Sequence, residues 1–385
     1  VTDMLGKRRL TRVIGLVLLS VVGTGGWVAG SAQQAVTGPP PGTAAWRADR
    51  SLGRALPDPA GAAPREVAAF FARLDGVRRE ELAARHPLVV GNLDGAPLSL
   101  RYRANSLAIR AEEEKAERRG DGRSAARYAA FLRPGRRILA FDPRGRGQLA
   151  EVYGDVAAAR RTAVVVPGSD IDLGSFERAE DPYGTPSGMA RALRAKMAEN
   201  TPGTPTAVIA WAGYTTPVGL GPDAATGRLA EAGAPRLNRL LAGLQALGRP
   251  APSVFCHSYG SVVCGVAAPA TAPGAVADLV FLGSPGTRAD TAAGLRSTAR
   301  VWAARDATDW IGDAPHTRLL DLGHGPDPTD PAYGARRVSA DRARGHTGYF
   351  APGTDSLANF ADITLGAYRA VRCAADRQEC RHDLG

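Results

Sequence analysis

The sequence predicts an α/β chain, with a mostly parallel sheet covered by helices on both faces and a small helical subdomain ahead of it. Three observations predict this. From residue 133 onward, short apolar segments of strand type alternate with longer segments of helical periodicity. Crossover helices of that kind build parallel sheets buried on both sides. The series opens with two strand-like segments joined by Pro143-Arg144-Gly145-Arg146-Gly147, which reads as a hairpin. Finally, Ser253-Val254-Phe255-Cys256-His257-Ser258-Tyr259-Gly260-Ser261 places an apolar strand, a serine turn and a small-residue helix in direct succession.

The elements follow in order. The positive residues Lys7, Arg8, Arg9 and Arg12 precede a charge-free apolar stretch over 13–30, and Gly30-Ser31-Ala32 offers small residues for cleavage. This is the layout of a secretory signal peptide over 1–32, with an uncleaved membrane anchor as the alternative. Residues 33–64 are rich in Pro, Gly and Ala and read as a flexible tether. Residues 65–130 read as a helical N-terminal subdomain. Its first helix spans 67–85, with Phe70, Phe71, Leu74 and Leu82 at helical spacing, and stops at His86-Pro87. A turn follows at Gly91–Gly95, then a charged helix over 106–119.

Residues 131–372 form the sheet domain. Strands are expected at 137–142, 148–153, 162–166, 207–211, 254–256, 277–282 and 300–304, and helices at 187–199, 229–247 and 357–371. Residues 373–385 are a tail carrying a cysteine pair.

Composition narrows the class of function. At 385 residues, 44% apolar and 22% charged, the chain is long enough for a sizeable core. The formal charge of +10 is almost entirely arginine and is spread along the chain rather than gathered in a stripe with interleaved aromatics. Nucleic acid is therefore not the expected partner. Four cysteines suit an oxidising compartment and fall into two local pairs, Cys256 with Cys264 and Cys373 with Cys380. The first would tie the strand before Ser258 to the helix after it, and the second would close a small loop. Free buried thiols are the alternative for Cys256 and Cys264. His324, Asp327 and Asp330 are interleaved with prolines and read as a rigid polar loop rather than a metal site, and no phosphate-binding or dinucleotide fingerprint is present. No metal and no cofactor are expected.

A serine on such a turn is a candidate nucleophile, because the sharp strand-to-helix turn pushes its hydroxyl out of the sheet. The usual pattern is G-x-S-x-G. Ser258 and Gly260 match it, and Cys256 replaces the first glycine. The hydroxyl needs a base, normally a histidine held by a carboxylate, and sheets of this type supply them in the order serine, acid, histidine. His346, in Gly345-His346-Thr347-Gly348-Tyr349-Phe350, is the expected base, with His324 as runner-up. Asp309, after the 300–304 strand, is the expected acid, with Asp306 as the alternative that caps the local turn. The N–H groups of Tyr259 and Ser169 are the expected oxyanion donors, Ser169 lying in the loop Val166-Pro167-Gly168-Ser169-Asp170.

The chain also resembles a family, the actinobacterial α/β-hydrolases long filed as a domain of unknown function. The resemblance covers roughly residues 65–370. It rests on His86-Pro87, Gly91-Asn92-Leu93-Asp94-Gly95, Arg103-Ala104-Asn105, Phe141-Asp142-Pro143, Gly154-Asp155, Val166–Asp170 and His257-Ser258-Tyr259-Gly260-Ser261. It continues through Gly283-Ser284-Pro285-Gly286, His324-Gly325-Pro326-Asp327-Pro328 and the His346 segment. It implies an α/β-hydrolase fold, Ser258 as nucleophile, His346 as base, and residues 65–130 packed near the active site as a cap. It supplies no substrate. Cys256 departs from its pattern, which puts the ordinary shape of the turn in question.

The expectation is a secreted serine hydrolase acting on a small-molecule or lipid-like acyl ester, with membrane contact only through an uncleaved export segment. The alternatives are a hydrolase-fold extracellular binding protein without turnover, and a peptidase using the same three residues.

Overall fold

A computed structural model describes residues 32–374 and 380–384. The export signal expected over 1–32 falls almost wholly outside the described residues. Among the described residues, six helices precede the sheet: α1 (Thr43–Ala48), α2 (Pro64–Ala72), α3 (Gly76–Arg85), α4 (Pro87–Gly91), α5 (Leu98–Arg118) and α6 (Gly122–Phe131). The expected single helix over 67–85 is two helices, α2 and α3. The first ends at Ala72, and Asp75 starts the second, its carboxylate accepting from the Arg78 N–H at 2.8 Å, an N-cap that competes with helix continuation.

The remaining elements are β1 (Ile138–Asp142), β2 (Gln148–Gly154), β3 (Arg161–Val166), α7 (Pro186–Asn200), β4 (Thr206–Ala212), α8 (Pro222–Ala225), α9 (Arg228–Ala246), β5 (Ser253–His257), α10 (Gly260–Ala267), β6 (Asp278–Leu282), β7 (Arg300–Ala304), β8 (Arg318–Leu319), β9 (Leu322–Gly323), β10 (Arg336–Arg337) and α11 (Asp355–Leu365). Eight strands form one sheet in the order β1-β2-β4-β3-β5-β6-β7-β10. β1–β2 and β2–β4 are antiparallel, and every later pairing is parallel. β8 and β9 form a separate hairpin. Helix α11 is shorter than the expected 357–371, because Gly366 takes a left-handed conformation that caps it.

The sheet is covered on both faces, and alternation along β5 shows how. Phe255 packs with Phe350 and Phe360 on one face, while Cys256 packs with α9 and α10 residues on the other. Side chains along a strand alternate faces, so His257 returns to the Phe255 side. Val166, Cys256 and Phe281 lie level across β3, β5 and β6, and Leu282 lies level with Ala304 of β7. The carboxyl ends of the four strands therefore form one crest. Ligands of open α/β sheets bind outside such carboxyl ends.

Two expectations are corrected. The segment 33–64 is not a free tether. The Gln33 N–H donates to Asp223 and the Val36 N–H to Thr215, and Trp46 is fully buried with its indole N–H on the Pro57 carbonyl at 2.7 Å. Composition alone does not register those distant partners. The helical subdomain is not a cap on the crest. It closes the outer edge of β1, where the Asn92 amide donates to the Phe141 carbonyl and accepts from its N–H, and the Asn105 amide donates to the Ile138 carbonyl. β2, β4 and β3 separate that edge from β5. An unpaired edge strand needs such cover.

Both cysteine pairs are disulfides, Cys256–Cys264 and Cys373–Cys380, with Cα separations of 6.4 and 5.5 Å. No helix among the described residues is long and apolar enough to cross a membrane.

Candidate active site

The ladder of β5 ends at His257, and Ser258 turns sharply with φ 54° before α10 begins. A non-glycine residue with positive φ is strained and persists only where its surroundings hold it. Here the Ser258 N–H donates to the Leu282 carbonyl at 3.0 Å, its carbonyl accepts from the Ser261 N–H, and the Ser261 hydroxyl donates to the Cys256 carbonyl. Gly260 lets α10 run against β3, since a methyl group there would lie 2.5 Å from the Val166 carbonyl oxygen. Cys256 fits where glycine is usual because its side chain points to the opposite face and bonds Cys264 of α10. The sharp turn is kept with a cysteine at that position.

The structure brings Ser258, His346 and Asp309 together. His346 Nε2 lies 2.7 Å from Ser258 Oγ, and His346 Nδ1 lies 2.8 Å from Asp309 Oδ1. A carboxylate only accepts, so Nδ1 carries the hydrogen and Nε2 is left to accept from the serine hydroxyl. Asp309 is buried, which raises its pKa, but hydrogen bonds from His346, the Tyr349 hydroxyl and the Ile311 N–H outweigh burial and hold the carboxyl below its ordinary value. The alternative acid, Asp306, faces its own turn and accepts from the Thr308 N–H at 2.9 Å. The alternative base, His324, bonds the Ala224 carbonyl through Nε2 at 2.7 Å and meets Ser258 only indirectly, against the Tyr259 ring. Burial lowers its pKa.

The segments that carry the expected oxyanion donors adjoin Ser258. Tyr259 precedes the first turn of α10, where N–H groups lack intrahelical partners. The loop after β3 passes Ser258 so closely that a methyl on Gly168 would lie 2.9 Å from Ser258 Oγ, and Ser169 follows, half-buried. That loop is pinned from behind. Asp170 has φ 63°, its N–H donates to the Pro217 carbonyl at 2.8 Å, its carboxylate accepts from the Gly219 N–H, and the Tyr214 hydroxyl donates to the Pro167 carbonyl.

Four residues at this site were not singled out from the sequence for these roles. His257 sends its Nε2–H to the His346 carbonyl at 2.6 Å, and burial lowers its pKa to about 3, so it stays neutral. The Tyr349 hydroxyl donates to Asp309 Oδ2 at 2.6 Å and accepts from the Asp306 N–H, and burial together with the Asp309 charge raises its pKa. Gly283, at φ 52°, leaves room for the acid, since a methyl group there would lie 2.7 Å from Asp309 Oδ2. The Trp310 ring lies 4.8 Å from the His346 ring and is partly exposed. Tyr349 and Gly283 stand inside motifs the sequence displays, but only the folded chain brings them to Asp309. His324, Asp327 and Asp330 do not converge: Asp327 pairs with Arg305 and Asp330 caps the Ala332 N–H. Among the described residues no group of His, Cys, Asp or Glu is arranged to hold a metal ion.

An antiparallel hairpin leading a parallel sheet, with a strained serine after the central strand, defines the α/β-hydrolase fold. Residues 142–319 match the model of a family described as alpha/beta hydrolase. The chain is 29% identical over 402 residues to the uncharacterized protein Rv2079 of Mycobacterium tuberculosis strain H37Rv, an alignment covering 86% of this chain and 60% of that protein. The chain thus spans about 60% of the length of the curated relatives it matches. Among solved structures it is similar to 2,6-dihydroxy-pseudo-oxynicotine hydrolase, with TM-score 0.35, 14% identity and coverage of 89% of this chain and 97% of that one. It is also similar to dienelactone hydrolase from Anabaena variabilis, with TM-score 0.35, 16% identity and coverage of 59% and 93%. Likeness at this level says nothing of substrate.

Proposed function

We propose that the chain is a serine hydrolase that cleaves an ester or related acyl bond outside the cytoplasm. The fold and the matching family model support a hydrolytic function. The observation that carries the serine mechanism is the continuous path from Ser258 Oγ through His346 to Asp309, at 2.7 and 2.8 Å. In this reading His346 Nε2 takes the hydroxyl proton as Ser258 Oγ bonds the acyl carbon. The N–H groups of Tyr259 and Ser169 hold the oxyanion. The carbon–oxygen bond to the alcohol then breaks, and His346 returns the proton to the departing alcohol. Water, deprotonated by the same imidazole, releases the acid and restores Ser258. Asp309 holds the Nδ1–H tautomer, and Tyr349 and His257 fix the acid and the base loop. Two disulfides support an oxidising, extracytoplasmic setting.

Labelling with a fluorophosphonate probe tests the reading. The native chain should label and Ser258→Ala should not. Equal labelling of the two would overturn the assignment of Ser258. Hydrolysis of short esters against the matching amides then separates an esterase from a peptidase.

A further inference from the structure

The peptide bond between Ala32 and Gln33 stands out twice. In the sequence it follows the small residues Gly30-Ser31-Ala32, where an export peptidase would cut. In the structure it is where the chain takes hold of the fold. Ala32 is exposed, while the Gln33 N–H donates to Asp223 Oδ2 at 2.6 Å and the Gln33 carbonyl accepts from Arg228 Nη2 at 2.6 Å. Arg228 also donates to Asp223 Oδ1 at 2.5 Å, so a buried carboxylate and its guanidinium partner grip the backbone of Gln33 from both sides. The hold continues along the segment, with Ala35 packed on the core cluster that contains Tyr259 and the Val36 N–H on the Thr215 hydroxyl at 3.0 Å.

Asp223 lies in α8, and the backbone beside it reaches the crest. The Ala224 carbonyl accepts from His324 Nε2 at 2.7 Å, and the Thr226 carbonyl accepts the Tyr259 hydroxyl at 2.6 Å. Tyr259 follows Ser258, and its N–H is an expected oxyanion donor. A hydrogen bond, a short helix and a second hydrogen bond therefore join Gln33 to the residue beside the nucleophile.

What Gln33 offers Asp223 depends on whether that bond is intact. An amide N–H supplies one donor and no charge. Hydrolysis adds water across the bond, leaves a carboxylate on Ala32, and gives Gln33 an α-amine that takes up a proton. The resulting ammonium brings a positive charge and three donors to the same carboxylate oxygen. A charge-assisted hydrogen bond of that kind is about twice as strong as a neutral one. Arg228 already occupies Oδ1, so Oδ2 is left to the ammonium, and the like charge of Arg228 keeps the gain modest.

We propose that an export peptidase hydrolyses the Ala32–Gln33 bond, and that the new α-ammonium of Gln33 pairs with Asp223 and so steadies α8 and Tyr259. Export and completion of the site are thereby coupled. The effect on catalysis rests on the serine hydrolase reading; the cleavage and the ion pair do not. The full chain is expressed with export and its mass measured. The product should begin at Gln33 with an open amine. Gly30→Leu/Ala32→Phe removes the small residues a peptidase needs and should leave the leader attached. In the same detergent at pH 7, the cleaved chain should melt about 2–4 °C above the uncleaved one. That gap should close in alkali, as an α-amine of ordinary pKa about 8 loses its proton. Asp223 and Arg228 touch Gln33, and Arg288, Tyr259 and His324 are the next charged or titratable groups around α8. All five are common to both chains, so their own titration drops out of the difference. Asp223→Asn should abolish the gap at every pH, and if that variant does not fold, the pH profile of the native pair decides. For p-nitrophenyl butyrate the uncleaved chain should show kcat lower by about threefold with KM unchanged. The proposal is overturned by a terminus elsewhere, by an amine closed to pyroglutamate with loss of ammonia, or by a melting gap that is absent, flat with pH or indifferent to Asp223→Asn. If neither chain cleaves the ester while the gap follows Asp223, the hydrolase reading fails and the ion pair stands.

Discussion

The crest and the β1 edge both hold buried charges, yet they behave as opposites. At the edge, Arg101 pairs with Asp94 at 2.8 Å and donates to the Gly91 carbonyl, while Asn105 bridges Gly91 to Ile138. These groups are closed off from solvent and point at backbone, so the cluster fixes how the helical subdomain sits on the sheet. At the crest, Asp309 is equally buried, but its chain of partners ends on a half-exposed serine whose backbone is strained. The comparison teaches that a buried ion pair is not by itself a mark of chemistry. A reactive site adds an accessible atom at the end of the network and a backbone held where it would not otherwise rest.

The sharpest test separates activity from stability at the two places. Ser258→Ala should lower kcat/KM for an ester by about 10⁴-fold or more with thermal stability nearly unchanged. A loss of a few fold in steady-state assays would put the crest in the same category as the edge.

Acid should find the crest through His257. Its folded pKa of about 3 lies below the ordinary 6.5, so the unfolded chain takes up a proton that the folded chain refuses. The stabilisation is complete above pH 6.5 and drains away as pH falls toward 3, by roughly 5 kcal/mol at the acid limit. His257→Gln, which keeps a donor for the His346 carbonyl without titrating, should flatten the dependence of urea midpoint on pH over that range. An unchanged slope would show that other groups set it.

At the edge, Arg101→Met should cost about 3–5 kcal/mol by leaving Asp94 buried without its partner. Each folded molecule should keep full esterase activity, measured as kcat per titrated active site. A drop in that value would mean the subdomain acts on the crest after all. The smallest effect is expected at Tyr349→Phe, which removes the hydrogen bond to Asp309 Oδ2 at 2.6 Å. Activity should fall by about tenfold, in kcat rather than KM. An unchanged kcat would reduce Tyr349 to packing.

Most of the sheet was legible because each strand is a short apolar run bounded by turn residues, as with Val164-Val165-Val166-Pro167-Gly168. Parallel strands buried on both faces leave that trace. The two-residue strand β10 left none, since Arg336-Arg337 has no apolar pattern and joins the sheet only by pairing with Trp302 and Ala303. Helix α6 (Gly122–Phe131) escaped for a similar reason, as its only buried residue is Phe131. The split between α2 and α3 was hidden because apolar spacing runs on across a cap that involves a single aspartate. At the crest, the serine and its flanking glycine announced themselves locally. The choice between Asp306 and Asp309 did not, because both follow β7 at nearly the same point in the chain.

By itself the sequence determined the alternation of strands and helices, the turn at Ser258 and the small set of groups able to serve it, because each of these is written in neighbouring residues. Only the tertiary structure decided that His346 rather than His324 reaches the hydroxyl, that Asp309 rather than Asp306 faces the imidazole, and that the helical subdomain seals an edge instead of covering the crest. Those outcomes depend on which distant loops the packed sheet sets side by side, and spacing along a chain carries no measure of that distance.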